Sequence, residues 1–244
     1  MRKLFLDIET SPAIAYVWRL YDENIGLEQL IQPVRTICVA WQLDDEKMQF
    51  ASEWRGGHDS MVARIYKAVD EADAVIHYNG ASFDERHLNR EFLQAGLTPP
   101  SPYRTIDLYR TVKAKFQFTA NRLAQVSREL ELREGKLKTD FELWKNVLAG
   151  DAKARRYMER YNKEDVRLLV DLYDEMLPWI GQHPNVALYE DGTEMKCTRC
   201  GATSLTKHGY YFTGASKFQR YRCGECGANN RGSKRLSTTQ LREA

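Results

Sequence analysis

The chain has 244 residues, 43% hydrophobic and 29% charged, enough apolar material for one moderate domain and a small appendage. No apolar run approaches the roughly 20 residues of a membrane span, and Met1-Arg2-Lys3-Leu4 lacks a secretory pattern, so the sequence predicts a cytoplasmic protein with no membrane partner. Lys and Arg outnumber Asp and Glu by 36 to 34, but residues 192–244 hold ten basic and three acidic groups, a net +7 that leaves the first 191 residues at −5; an acidic body with a basic end suits a metal site joined to a polyanion-binding module.

Leu4-Phe5-Leu6 reads as a buried strand that carries Asp7 and Glu9 beyond it, with Ile8 between them. Residues i and i+2 of a strand share a face, so the two carboxylates project together. Held side by side they repel, and burying them without a partner is costly; a divalent cation removes both penalties, whereas a solvated strand end would need none. Ser11-Pro12 ends the strand, and residues 13–31, with Tyr16, Trp18 and Tyr21, read as a loop with a short helix lining one side of a cleft. Residues 34–43 and 47–54 read as a hairpin pairing with the first strand. Within the hairpin Cys38 sits in the apolar run Thr36 to Trp41 and is expected in the core.

Helical spacing follows from Ser60 to Asp70, then a short strand at Ala74-Val75-Ile76. His77-Tyr78-Asn79-Gly80-Ala81-Ser82-Phe83-Asp84 leads from that strand into an amphipathic helix with Leu88, Phe92 and Leu93 on one side. Asp84 is either a helix cap, favoured at a helix N-terminus, or a third acid delivered to the strand ends. Asn79 either fixes the turn or touches a substrate. Thr105 to Leu108 reads as a strand entering a helix, residues 119–132 and 140–149 as helices, and Gly135 to Lys138 as a basic turn. From Asp151 to Leu177 the pattern is one long helix whose apolar face carries Leu168, Leu169, Leu172, Tyr173 and Met176; on it Tyr161 and Asp165 are i and i+4 and point the same way.

Four of the five cysteines form Cys197-Thr198-Arg199-Cys200-Gly201 and Cys223-Gly224-Glu225-Cys226-Gly227, two CxxC pairs 22 residues apart. Four thiolates at this spacing give a closed tetrahedral zinc site. Disulfides fit poorly with a cytosolic chain, and doubling of the motif argues against a redox pair. Lys207, His208, Tyr210, Tyr211, Phe212, Lys217 and Arg220 interleave between the pairs, a composition suited to phosphate contact and base stacking.

Taken together, Asp7-Ile8-Glu9-Thr10, Asn79-Gly80-Ala81-Ser82-Phe83-Asp84 and Tyr161…Asp165 resemble the three motifs of the DEDD superfamily of 3′–5′ exonucleases. The likeness is to the tyrosine branch, as in the proofreading exonuclease domain of family B DNA polymerases and its stand-alone relatives. A C-terminal piece resembling a zinc ribbon follows. The resemblance implies an α/β, RNase H-like fold, a mixed central sheet flanked by helices, over residues 1–180, with a linker at 181–191, a ribbon at 192–232 and a disordered tail at 233–244. It implies two Mg²⁺ or Mn²⁺ ions held by Asp7, Glu9, Asp84 and Asp165, a water oriented by Tyr161, and one structural Zn²⁺ on Cys197, Cys200, Cys223 and Cys226. Thr10 and Asn79 would touch the terminal nucleotide; Phe83 would stack on it or pack in the core. The implied substrate is single-stranded nucleic acid with a free 3′ end, DNA favoured, and the ribbon would assist its binding or recruit a protein. A non-catalytic binding module and a structure-specific endonuclease are the competing readings.

Overall fold

The computed structural model describes residues 1–132 and 137–241, so part of the expected basic turn, Gly135 and Lys136, lies outside the described residues. The chain divides into two compact units, Arg2–Leu172 and the segment from Tyr173 onward.

In the first unit β1 (Lys3–Thr10) is the middle of a five-stranded sheet. It pairs antiparallel with β4 (Thr36–Leu43), which pairs with β5 (Gln49–Ser52), and parallel with β6 (Ala74–His77), which pairs with β7 (Arg104–Asp107). The order β5-β4-β1-β6-β7 makes the sheet mixed, and helices flank it. Alternation along β1 divides its side chains. Leu4, Leu6 and Ile8 enter a core with Met61, Val62 and Ile65 of α1 (His58–Asp70) and Leu88 and Phe92 of α2 (Asp84–Gln94). Asp7 and Glu9 fall on the other face, opposite Ala40 and Cys38 of β4. Cys38 is fully buried, as its apolar run predicts; burial and the nearby Glu9 and Asp7 carboxylates push its thiol well up, so it is an inert core residue.

β6 and β7 each deliver a helix at their carboxyl ends, α2 after a turn and α3 (Leu108–Lys115) directly. After α4 (Leu123–Glu129) and α5 (Phe141–Leu148) comes α6 (Ala152–Met176), whose buried stripe includes Ala154, Met158, Asn162, Val166 and Leu169. The helix expected over 119–132 is shorter, because Leu130 leaves helical geometry and Glu131 adopts a positive φ of 53°. Residues 13–31 hold the expected short helix as a 3-10 turn, Leu27–Gln29, and a small hairpin, β2 (Ile14–Ala15) with β3 (Leu30–Gln32), and the Glu23 carboxylate accepts the Trp18 and Arg19 N–H groups. That internal knot leaves Trp18 and Tyr21 facing solvent.

In the second unit β8 (Leu205–Phe212), β9 (Ser216–Cys223) and β10 (Asn229–Thr238) form an antiparallel sheet. One expectation is corrected here. Residues 233–238 are not a disordered tail but the end of β10, with Arg235 opposite Phe218 and Thr238 opposite Ser216, and the Thr238 hydroxyl donates to the Ala215 carbonyl. Within residues 181–191, Val186–Tyr189 is a 3-10 turn, and the Val186 N–H donates to the Thr198 carbonyl.

Candidate active site

The carboxyl ends of the parallel strands β1, β6 and β7 lie along one edge of the sheet, the position where open α/β sheets form their ligand crevice. Asp7 and Glu9 stand on the outer half of β1. The turn after β6 then brings in Asp84 at the first position of α2. That carboxylate is buried and accepts the Ile8 N–H at 3.1 Å, tying the start of α2 to the backbone between the two acids of β1. From the long helix comes Asp165, also buried, with the Tyr161 hydroxyl donating to it. Asp7 is the hub: burial first, then the negative charges of Glu9, Asp165 and Asp84, raise its carboxyl well above the usual range. Burial likewise raises Asp84, to about 6. Carboxylates from β1, α2 and α6 thus act on one another electrostatically at Asp7, and a buried cluster of like charges of this kind is relieved by a cation. Their oxygens suit hard divalent ions. Burial, then Asp165, Glu9 and Asp7, keep the Tyr161 phenol protonated far beyond neutral pH.

Sequence reasoning passed over Asn162. Its amide donates to the Asp7 carboxylate at 2.7 Å and to the Asp7 carbonyl at 3.0 Å, from a side chain with no exposure. The signal was present: a polar residue midway between Met158 and Val166 on the apolar stripe of a helix needs a buried partner. A second lock lies in the turn carrying Asp84. The Gly80 N–H donates to His77 Nδ1, so the His77 ring carries its proton on Nε2 and presents it to Glu85. A Cβ at Gly80 would stand 2.4 Å from the buried His77 ring.

The expected substrate contacts separate. Thr10 and Phe83 line one cleft, of about 660 Å³, with His87, Phe141 and Trp144; Trp144 also meets the Tyr161 ring edge-on. Phe83 is 41% exposed, which excludes the core-packing role. Asn79 adopts a left-handed φ of 67°, its N–H bound to Asp107 and its side-chain oxygen to the Ser82 hydroxyl. It holds the turn, and it lines a different cleft.

In the second unit the four cysteine Sγ atoms lie within 4.8 Å of one another. Among the described residues no three carboxylates are drawn together so tightly. Cys197–Cys226 and Cys200–Cys223 are 3.7 and 3.6 Å apart. These are not bonded sulfurs, and both distances are near the ~3.8 Å edge of a tetrahedron with 2.3 Å metal–sulfur bonds. Positive φ at Gly201 and Gly227 closes the two turns. Burial opposes ionisation of Cys197, but N–H donation from Cys200 and Arg199 and the Asn230 amide bring its thiol down to about 7. The donor set fits a soft or borderline metal.

The sequence model of the RNase H superfamily matches residues 4–177. Among solved structures, the family B DNA polymerase from the hyperthermophilic archaeon Pyrobaculum calidifontis superposes with a TM-score of 0.53 and 18% identity, over 72% of this chain and 24% of that one. At that identity the likeness speaks to fold alone, and the chain spans about a quarter of the polymerase's length. No curated protein matches.

Proposed function

Because the chain belongs to the RNase H superfamily, we propose that its carboxylate centre is that of a two-metal-ion 3′–5′ exonuclease acting on single-stranded nucleic acid, DNA favoured. The observation that carries the reading is the electrostatic convergence of Glu9, Asp165 and Asp84 on Asp7. Asp7, Glu9, Asp84 and Asp165 would hold the ions. Two Mg²⁺ or Mn²⁺ ions bound there would lower the pKa of the attacking water and stabilise the leaving oxygen.

The protein's own part is positioning. The Tyr161 phenol stays protonated, so it orients the water through its hydroxyl instead of removing its proton. Thr10 and Phe83 face the cleft in which the terminal base would rest. Attack on phosphorus forms the new P–O bond as the bond to the preceding 3′ oxygen breaks, releasing a nucleoside 5′-monophosphate and a strand one residue shorter. Cys197, Cys200, Cys223 and Cys226 would hold one Zn²⁺, and the basic, aromatic ribbon around them would assist strand binding.

Asp7→Asn should abolish hydrolysis of a labelled oligonucleotide in Mg²⁺, because the ions that activate the water and stabilise the leaving oxygen would lose a carboxylate, while the thermal melt stays close to that of wild type. Retained cleavage would overturn the assignment. Cleavage of a circular single strand, which offers no 3′ end, would instead favour the endonuclease.

A further inference from the structure

A second cleft lies on the far side of the turn that carries Asp84. It measures about 420 Å³ and is lined by Asn79 and Ser82 of the turn and by Asp107, Tyr109, Arg110 and Lys113 at the start of α3. The turn therefore separates an aromatic cleft at Phe83 from a cationic one at α3.

Two observations give the cationic cleft its chemistry. The eight residues of α3, LYRTVKAK, hold three basic and no acidic side chains, although the first 191 residues are net acidic. Arg110 and Lys113 are i and i+3 and so share a face, and both line the cleft, whereas Lys115 does not. Arg110 is 72% exposed and only 3.7 Å from Asp107, and Lys113 lies over the Tyr109 ring at 5.5 Å. Asp107 Oδ1 accepts the Asn79 and Tyr109 N–H groups, while its Oδ2 is the atom near Arg110. The cleft therefore offers a ligand two cations against one carboxylate that is 4% exposed, a net positive charge beside an aromatic ring. That combination fits a phosphodiester backbone with a base beside it.

We propose that the cleft between the turn at residues 79–82 and α3 seats the sugar-phosphate backbone of the substrate strand beyond its terminal nucleotide, with Arg110 and Lys113 as phosphate contacts. This rests on the exonuclease reading for the identity of the strand. Geometry supports it: the same turn presents Phe83 to one cleft and Asn79 and Ser82 to the other, and ends at Asp84. A strand crossing the turn would meet the carboxylates between its base-binding and backbone-binding ends.

The test compares Lys113→Gln and Arg110→Gln/Lys113→Gln with Lys115→Gln, which removes the same charge from the same helix outside the cleft. Binding of a fluorescent single-stranded oligonucleotide is followed by anisotropy with no divalent ion added, between 50 and 200 mM salt. Hydrolysis of the p-nitrophenyl ester of thymidine 5′-monophosphate is followed separately with Mg²⁺ or Mn²⁺; that substrate has no strand to fill the cleft. The double variant should bind about tenfold more weakly at low salt, and the slope of log K against log salt should shrink by about 1.4, the value for two phosphates on a single strand. Lys115→Gln should bind within about twofold of wild type. Equal losses in all three variants, or none in the double variant, would overturn the cleft. Failure of wild type to hydrolyse ester and strand alike would instead overturn the exonuclease reading, and the binding comparison would still decide the cleft.

Discussion

Asn162 is the single side chain on which the geometry of Asp7 depends most directly. Its amide spans the carboxylate and the carbonyl of the same residue, so it fixes both the rotamer of Asp7 and the height of α6 against β1. Its hydrogen bond also lowers Asp7, against burial and three like charges. Asn162→Ala removes that donor, so the Asp7 carboxyl should rise further and bind a cation less well. Outer partners of this kind are typically worth 10–100-fold in metal affinity. The Mg²⁺ concentration for half-maximal nuclease activity should rise by that factor, while the rate at saturating Mg²⁺ falls less and the acid limb of the pH–rate profile moves to higher pH. A purely structural role would lower the melting temperature and leave the Mg²⁺ dependence and the pH limb where they are.

Among the elements, the turn from β6 into α2 places Asp84, and its accuracy rests on a contact between two small pieces of backbone and ring. Gly80 donates to His77 Nδ1 and leaves no room for a Cβ beside that buried ring. Because His77 is fixed between Gly80 and Glu85 and Thr105 also donates to Glu85, the ring cannot step aside. Gly80→Ala should therefore displace the turn, costing about 1–3 kcal/mol of overpacking in a denaturant titration. Activity should fall more steeply than stability does, since Asp84 moves with the turn. Equal activity in a destabilised variant would show that the turn tolerates the shift. Much of this element was legible beforehand: the apolar triad Ala74-Val75-Ile76, a turn with Asn and Gly, and helical spacing beyond gave strand, turn and helix in order. The lock was not, because it depends on which way His77 faces, and periodicity does not carry that. β10 escaped for a related reason. Its second half, Ser233-Lys234-Arg235-Leu236-Ser237-Thr238, has almost no apolar alternation, so from residue 233 the composition reads as a solvated tail. The ladder to β9 gives the segment its strand form. The four cysteines were legible because their chemistry is written in spacing, and the structure gathers them; the four acids stood out only through the resemblance of three motifs taken together, and Asn162, Arg110 and Lys113 acquire meaning only from what faces them.

At the scale of the whole chain, the two units are held together by different physics. The first has a continuous apolar core built on β1, α1 and α2. The sheet of the second encloses Cys197, Cys223 and Ala228, with Ala202, Leu205 and Cys226 packed against them, so three of its six central residues are cysteines from the proposed metal cage. So little apolar surface cannot offset the conformational entropy of some 40 ordered residues. A structural zinc contributes about 10–16 kcal/mol in comparable small modules and would supply most of the ribbon's folding free energy. Cys223→Ser should thus lose one equivalent of zinc by elemental analysis and unfold the ribbon sheet, while the melt of the first unit is retained. Its consequence for function follows from charge. Residues 192–244 carry +7 against −5 for the rest, so disrupting the fold of the basic unit disperses the cations that would follow a strand. Hydrolysis of a mononucleotide ester should continue in Cys223→Ser at near the wild-type rate, but binding of a long single strand should weaken about tenfold and lose part of its salt dependence. A variant that lost zinc yet bound long strands with unchanged salt slope would mean that the ribbon serves another partner and that the first unit alone holds the nucleic acid.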